Sequence, residues 1–140
     1  MAQYLQIHNM RMKKLIIGTL VLLGFYLSAT AQDETIKIIK SGFKTGSTTE
    51  IVNLLSNKVE LAFDGEKKIY SKNETEKVLN EFFTTNKSKD FEILHQGASK
   101  VGLKFFIGEY KASTGTFRIL IYLRSKDNKS LIETIDISKE

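Results

Sequence analysis

The sequence predicts an α+β fold in which N-terminal helices pack on an antiparallel sheet. Two segments, Ser47–Glu50 and Ser71–Glu74, have the capping-box pattern that starts a helix, and each precedes a run of apolar residues. After residue 86 come four segments rich in Phe, Ile, Leu and Tyr, separated by clusters of Gly, Ser, Asp and Asn. A group of helices followed by a group of strands is typical of the α+β class.

Residues 1–31 have the pattern of a secretory signal peptide. A basic stretch with Arg11, Lys13 and Lys14 precedes an almost purely apolar run over 15–27. This run is shorter than the roughly 20 apolar residues that a membrane-spanning helix needs. We therefore interpret the segment as a removable export signal rather than as a membrane anchor.

The small residues Ala29 and Ala31 predict cleavage between Ala31 and Gln32. The mature chain is then a single domain over 32–140, exported to the periplasm or outside the cell, with no membrane partner after cleavage. Met12, directly ahead of two lysines, offers an alternative translation start.

Composition excludes several classes of function. The chain has 21 basic and 16 acidic residues and a net charge of +5, but loss of the three basic residues of the signal leaves 18 against 16, a net charge of +2. A nucleic-acid partner is therefore not expected. The chain has no Cys, and His8 lies in the signal, which leaves His95 as the one histidine of the mature chain. We expect neither a metal nor another cofactor.

The first helix is predicted from Asp33, a suitable N-cap, and from apolar residues at helical spacing, Ile36, Ile39 and Phe43. Gly46 follows the last of them and ends the helix.

Ser47–Glu50 predicts a second helix with a capping box. Its apolar stripe consists of Ile51, Val52, Leu54 and Leu55.

A hairpin follows, because Val59, Leu61 and Phe63 alternate with other residues before the turn pair Asp64-Gly65. The short stretch over 68–70 can pair back on this strand.

Ser71–Glu74 predicts a third helix that ends at about Asn86. One face of this helix carries Val78, Leu79, Phe82 and Phe83.

Four strands, at about 90–98, 102–112, 116–125 and 130–138, predict an antiparallel meander. A two-residue turn at Ser113-Thr114 or at Thr114-Gly115 divides the middle strands into the same two faces. One face carries Phe106, Gly108, Tyr110, Phe117, Ile119, Ile121 and Leu123. The other carries Leu103, Phe105, Ile107, Glu109, Arg118, Leu120, Tyr122 and Arg124. Because both faces are largely apolar, we expect helices to cover the first and a second subunit to cover part of the other.

Short motifs spaced along the mature chain carry a family resemblance. They are Ser41–Gly46, Val59–Leu61, Tyr70–Lys72, Phe82–Phe83, Phe91 with His95–Gly97, Ile107–Gly108 and Gly115–Arg118. In this order they resemble the bacterial domain-of-unknown-function family 4783. The resemblance implies an exported protein of Bacteroidetes with a nuclear-transport-factor-2-like (cystatin-like) fold and a curved sheet, and it implies no particular activity.

In enzymes of that fold an acid or base works in a pocket between the helices and the sheet. His95 is the first candidate, because it alternates with Phe91 and Ile93 and would point inward; Glu109 is its candidate partner. One turn register instead places Glu109 opposite Arg118 as a cross-strand ion pair. Lone residues of this kind are more often structural than catalytic.

Three residues are candidates for ligand binding: Tyr70, His95 and Tyr110. The tyrosines could donate hydroxyl hydrogen bonds, although aromatic residues in strands mainly pack.

The leading hypothesis is a non-enzymatic exported module that binds a small apolar ligand or a protein. It forms a homodimer through a sheet face that contains Leu103, Phe105, Leu120 and Tyr122. One alternative is a small lyase or isomerase that uses His95 with Glu109 or a tyrosine. The other is a structural component of the envelope.

Overall fold

The computed structural model describes residues 34–99, 102–126 and 129–140. Thr35–Glu140 forms one compact unit. The predicted signal peptide, its cleavage after Ala31 and the alternative start at Met12 lie outside the described residues. None of the helices within the described ranges is long and apolar enough to span a membrane.

The first helix, α1, covers residues 34–45. It ends where Gly46 takes a φ of 66°, a left-handed conformation that glycine adopts without steric cost. The N–H of Ser47 then donates to the carbonyl of Gly42 at 2.9 Å, which satisfies a terminal carbonyl of the helix. The helix and its end at Gly46 are confirmed, whereas the predicted cap Asp33 lies outside the described residues.

The second helix, α2, is the five-residue segment Thr48–Val52. Ser47 is its N-cap, but the side chain makes no capping hydrogen bond, so the predicted capping box is wrong. The chain leaves the helix early because the carbonyl of Leu54 accepts a hydrogen bond from Ile132 at 2.7 Å and Leu55 already pairs with that residue. Pairing with a distant strand thus overrides the apolar helical pattern.

The predicted hairpin is confirmed. Strand β1 (Leu55–Phe63) pairs antiparallel with β2 (Glu66–Ser71). The connecting residues Asp64 and Gly65 have φ values of 49° and 91°, as a tight hairpin turn requires.

The third helix, α3, is Lys72–Thr85, and its capping box is confirmed. The Ser71 N–H donates to Glu74 Oε2 at 2.9 Å, while the Glu74 N–H donates to Ser71 Oγ at 3.4 Å. Three apolar residues of the predicted stripe are buried, namely Leu79, Phe82 and Phe83.

The C-terminal part of the chain forms the predicted meander. Its strands are β3 (Ser88–Ala98), β4 (Lys104–Ala112), β5 (Gly115–Lys126) and β6 (Lys129–Lys139). With the hairpin they form one six-stranded sheet in the order β2-β1-β6-β5-β4-β3. The pairing is antiparallel except between β1 and β6, which run parallel, with Glu60 beside Thr134. The N-terminal hairpin and the meander therefore share a single sheet.

The two faces of the central strands are as predicted. Ala112 pairs with Gly115, so the turn consists of Ser113 and Thr114. The inner face is buried and carries Phe106, Gly108, Tyr110, Phe117, Ile119, Ile121 and Leu123. The outer face carries the half-buried residues Phe105, Ile107, Glu109, Leu120 and Tyr122 and the exposed residues Arg118 and Arg124, and the half-buried Leu103 directly precedes β4.

Candidate binding surface on the sheet

Aromatic side chains from α1, α3 and three strands meet on the inner face. They are Phe43, Phe82, Phe83, Phe91, Tyr110 and Phe117. Phe43 stacks on Phe91 with ring centroids 4.9 Å apart, and Phe82 meets Phe117 edge to face at 5.3 Å, both favourable geometries. None of these side chains is more than 7% exposed. Packed rings thus occupy the region in which a pocket was expected.

Tyr110, a predicted ligand-binding candidate, is fully buried among these rings. Its hydroxyl donates a 2.6 Å hydrogen bond to the carbonyl of Asn86, the residue that ends α3. Burial raises the pKa of Tyr110 above its usual value, because the charged form is poorly solvated in the core. The hydroxyl is therefore engaged in joining α3 to β4.

The predicted inward orientation of His95 is wrong. Ile93 pairs with Gly108 on the inner face, but the register of β3 shifts before His95, which pairs with the outer-face residue Ile107. Leu94 is the extra residue of this β-bulge, and it is 62% exposed. A bulge of one residue reverses the face of everything that follows it, so His95 lies exposed on the outer face.

Glu109, the candidate partner of His95, lies diagonally from it on the outer face, because His95 pairs with Ile107. Glu109 also stands opposite Arg118, as one predicted turn register requires. Its carboxylate, however, pairs with Lys111, with Oε1 2.9 Å from Nζ, instead of the predicted Arg118. This contact raises the pKa of Lys111, since a neighbouring carboxylate favours the charged amine.

Tyr70, the remaining ligand-binding candidate, is half-buried on β2 and packs against the core. Lys68 Nζ lies 4.9 Å from the centre of its ring, a cation–π contact. Since β2 and β3 form opposite edges of the sheet, Tyr70 and His95 are at opposite ends of it, and Tyr110 is buried between them. These three residues do not line one site.

The described part of the chain contains no group of three or more His, Asp or Glu side chains arranged to hold a metal ion. Four of its carboxylates form ion pairs with lysine or arginine, among them Lys44–Asp90 and Arg124–Glu133.

The outer face presents adjacent apolar residues, which with Leu103 directly before β4 we call the outer patch: Leu103, Phe105, Ile107, Leu120 and Tyr122. Phe105 pairs with Tyr122, and Ile107 pairs with Leu120, across β4 and β5. The rings of Phe105 and Tyr122 have centroids 6.2 Å apart. Four of these residues were predicted as an interface. The location of Phe105, Leu120 and Tyr122 on the outer face is confirmed, whereas Leu103 directly precedes β4; the role of all four in association stays a prediction.

A glycine of β3 makes room for the ring of Phe105 in the outer patch. A Cβ atom on Gly97 would lie 2.8 Å from the ring of Phe105, so the ring lies directly over the bare backbone. The ring also lies beside His95, with centroids 5.9 Å apart. Gly97 belongs to a motif of the family resemblance, and its packing role could not be read from the sequence without knowing which strand pairs with it.

Charged residues border the outer patch. Glu109 and Arg118 stand opposite each other at one end. At the other end Arg124 Nε lies 2.6 Å from Glu133 Oε1. On the flanking strands His95 pairs with Ile107, and Asp136 pairs with Leu120. The surface thus has an apolar centre and a polar rim, as protein interfaces do.

Helices packed on one face of this mixed sheet define a nuclear-transport-factor-2-like fold. The chain is similar to an NTF2-like protein of unknown function from Shewanella baltica, with a TM-score of 0.62, 12% identity and coverage of 83% of this chain and 96% of that chain. At this identity the similarity concerns the fold alone.

The family follows from closer matches. The family model described as "Domain of unknown function (DUF4783)" matches residues 36–138. A DUF4783 family protein from Bacteroides ovatus is 33% identical, with a TM-score of 0.70 and coverage of 73% of this chain and 92% of that one. One from Bacteroides fragilis is 31% identical, with a TM-score of 0.70 and coverage of 73% and 95%. No match was found among curated proteins. This chain belongs to the DUF4783 family, which confirms the resemblance.

Proposed function

We propose that this protein is a non-enzymatic, exported binding module whose outer sheet face binds a second copy of the chain. The observation that carries the proposal is the outer patch. Its apolar side chains lie side by side and are only half-buried. In contrast, an inner-face residue such as Tyr110 is completely buried. A contiguous apolar surface with a charged border is typical of an interaction site.

A second copy is the occupant that the arrangement favours. Chemically similar residues face each other across the line between β4 and β5, with Phe105 beside Tyr122 and Ile107 beside Leu120. A two-fold dimer requires a surface that is complementary to itself. Here aromatic residues can meet aromatic residues and aliphatic residues can meet aliphatic residues, as the facing side chains of two packed sheets do.

The distribution of candidate catalytic groups also supports binding over turnover. The hydroxyl of Tyr110 is engaged with a backbone carbonyl inside the core. His95 lies on the other face of the sheet, exposed and next to Phe105. A catalytic acid and base must converge on one substrate position, and these residues do not.

Export is part of the proposal and is supported by the N-terminal pattern of basic, apolar and small residues. Protein recovered from the medium or periplasm of an export-competent bacterial host should have a mass that corresponds to a start at Gln32. A product that stays in the cytoplasm with its N-terminal segment would contradict export.

The binding proposal is tested by Tyr122→Glu in protein purified from that host. Wild type should sediment as a dimer, and the variant as a monomer with unchanged circular dichroism. A buried aromatic anchor contributes about 2 kcal/mol, and a two-fold dimer carries the change twice, so we expect the dissociation constant to rise on the order of 1,000-fold. Ile69→Glu is the matched control, because Ile69 is a 66% exposed apolar residue on β2, outside the patch. A wild type that remains monomeric at all concentrations would refute the proposal and leave a partner of other chemistry.

A further inference from the structure

Beside the outer patch, opposite charges stand on either side of the line between β4 and β5. Arg118 of β5 is exposed, and Glu109 of β4 is half-buried directly opposite it. Glu109 is paired with Lys111 at 2.9 Å, and the described residues form no ion pair with Arg118. On its other side Glu109 pairs with Glu92, so that two carboxylates face each other in the ladder with Lys111 as their shared positive neighbour.

We infer that the two copies are related by a two-fold axis parallel to β4 and β5, above the line between them, and that Arg118 of each copy pairs with Glu109 of the partner subunit. This inference rests on the proposed function, since it assumes that a second copy covers the face. The guanidinium would reach both carboxylates, Glu109 and Glu92, and add a second positive charge to that of Lys111.

The rest of the face agrees with this axis. Rotation about it exchanges β4 with β5 and leaves each cross-strand pair at the same height. Tyr122 then lies over the partner's Phe105, and Leu120 lies over the partner's Ile107. One strand further out, His95 comes opposite the partner's Asp136, because these residues flank the same Ile107–Leu120 pair. The usual angle of about −30° between packed sheets keeps this correspondence closest at the centre.

The charges argue against a two-fold axis perpendicular to the strands. Such an axis, parallel to the sheet and above the centre of the patch, would place each strand over the same strand of the partner subunit. It would also place one end of the patch over the other end of the partner's patch. Arg118 would then lie over the partner's Arg124, two positive charges together, and Glu109 over the partner's Leu103. Juxtaposed like charges, and a carboxylate placed against an apolar side chain, disfavour that arrangement.

Two charge reversals test the inference in protein from the export-competent host. Arg118→Glu and Glu109→Arg should each raise the dissociation constant of the homodimer by about 100-fold, because each variant makes two repulsive contacts per dimer. An equimolar mixture of the two variants should form a heterodimer with an affinity within about tenfold of the wild-type homodimer. In each variant monomer, positions 109 and 118 carry charges of the same sign, and mixing the variants does not change this. Restored affinity in the mixture therefore reports contacts between subunits. Native mass spectrometry and sedimentation equilibrium measure both quantities.

Lys67→Glu and Glu60→Arg are the matched controls. These residues also form an oppositely charged pair on the sheet, with Lys67 Nζ 3.2 Å from Glu60 Oε1, but they lie on β2 and β1, away from the β4–β5 line. Both control variants should dimerise like wild type. If either test variant is poorly folded by circular dichroism, Arg118→Gln and Glu109→Gln replace the pair, with an expected increase of about tenfold each.

The outcomes separate the two proposals. Monomeric wild type would refute the proposed function. Dimeric wild type with test variants that dimerise normally, or with a mixture that stays monomeric, would overturn the inferred pairing while leaving the dimer intact.

Discussion

The inner and outer faces of β3 and β4 both pack a phenylalanine on a glycine, with different consequences. On the inner face, a Cβ atom on Gly108 of β4 would clash with the ring of Phe91 from β3. On the outer face the roles are exchanged, and Phe105 of β4 covers Gly97 of β3. Phe91 is 1% exposed beneath α1, whereas Phe105 is half-buried. The same local packing therefore completes a core on one face and leaves a surface available to a partner on the other.

Alanine substitutions at Gly108 and Gly97 should give the largest difference between the two faces in the free energy of unfolding. Gly108→Ala should lower the free energy of unfolding by about 3 kcal/mol, because Phe91 is enclosed by Phe43 and cannot move aside without disturbing the core. Gly97→Ala, the matched change on the outer face, should cost about 1 kcal/mol, since the ring of Phe105 can shift toward solvent. Urea unfolding measures both values. Equal losses would show that the outer ring is as tightly held as the inner one.

Removal of single hydroxyl groups should give the next largest difference. Tyr110→Phe should lower the free energy of unfolding by about 1–2 kcal/mol, because it leaves the part-buried carbonyl of Asn86 without its 2.6 Å donor. Tyr122→Phe on the outer face should stay within about 0.5 kcal/mol of wild type. Thermal and urea unfolding of the two variants at one protein concentration test this. A neutral Tyr110→Phe would argue against the structural role of that hydroxyl.

Changes of pH should produce the smallest effects, in opposite directions at Asp90 and at Tyr110. The hydrogen bond from Lys44 is the main cause that lowers the pKa of Asp90 below its usual 3.8. Its contribution to stability is therefore complete above pH 3.8 and disappears as the pH falls through the lowered folded pKa. Burial raises the pKa of Tyr110 above 10.0, so its contribution is complete below pH 10.0 and is lost as the pH rises through the raised folded pKa.

Urea unfolding across acidic and alkaline pH measures these two contributions. Asp90→Asn and Lys44→Met should each reduce the acid-induced loss, and Tyr110→Phe should reduce the alkaline loss. Tyr122→Phe serves as the control on the alkaline side. An Asp90→Asn variant with the wild-type acid profile would contradict the assignment. Because Lys44 and Asp90 are partly exposed, salt should weaken their contribution.

Elements that are formed by contacts between residues close together in the sequence could be predicted. The capping box of α3 joins residues three positions apart, and the β1–β2 turn depends on Asp64 and Gly65 alone. The faces of β4 and β5 followed from alternation, because a two-residue turn links the strands and either register gives the same division. The outer patch could therefore be assigned from the sequence.

Features that depend on contacts between distant segments were not predictable. Ser47 has the same capping-box spacing as Ser71 but makes no capping hydrogen bond. The helix that it starts is short, because Leu55 joins β6 through Ile132. Alternation predicts that His95 faces the core, but the bulge at Leu94 places it on the outer face. An extra residue in a strand leaves no signal in local alternation, because it is defined by the register of the partner strand.

Spacing along the chain was enough to establish the α+β class, α3, the hairpin and the apolar character of both sheet faces, because hydrogen bonds and side-chain periodicity within an element act over a few residues. Long-range pairing established the parallel β1–β6 contact, the outward position of His95 and the engagement of Tyr110 with Asn86. Those features arise when strands far apart in sequence choose a register, and that choice minimises the free energy of the whole sheet and core rather than of any single segment.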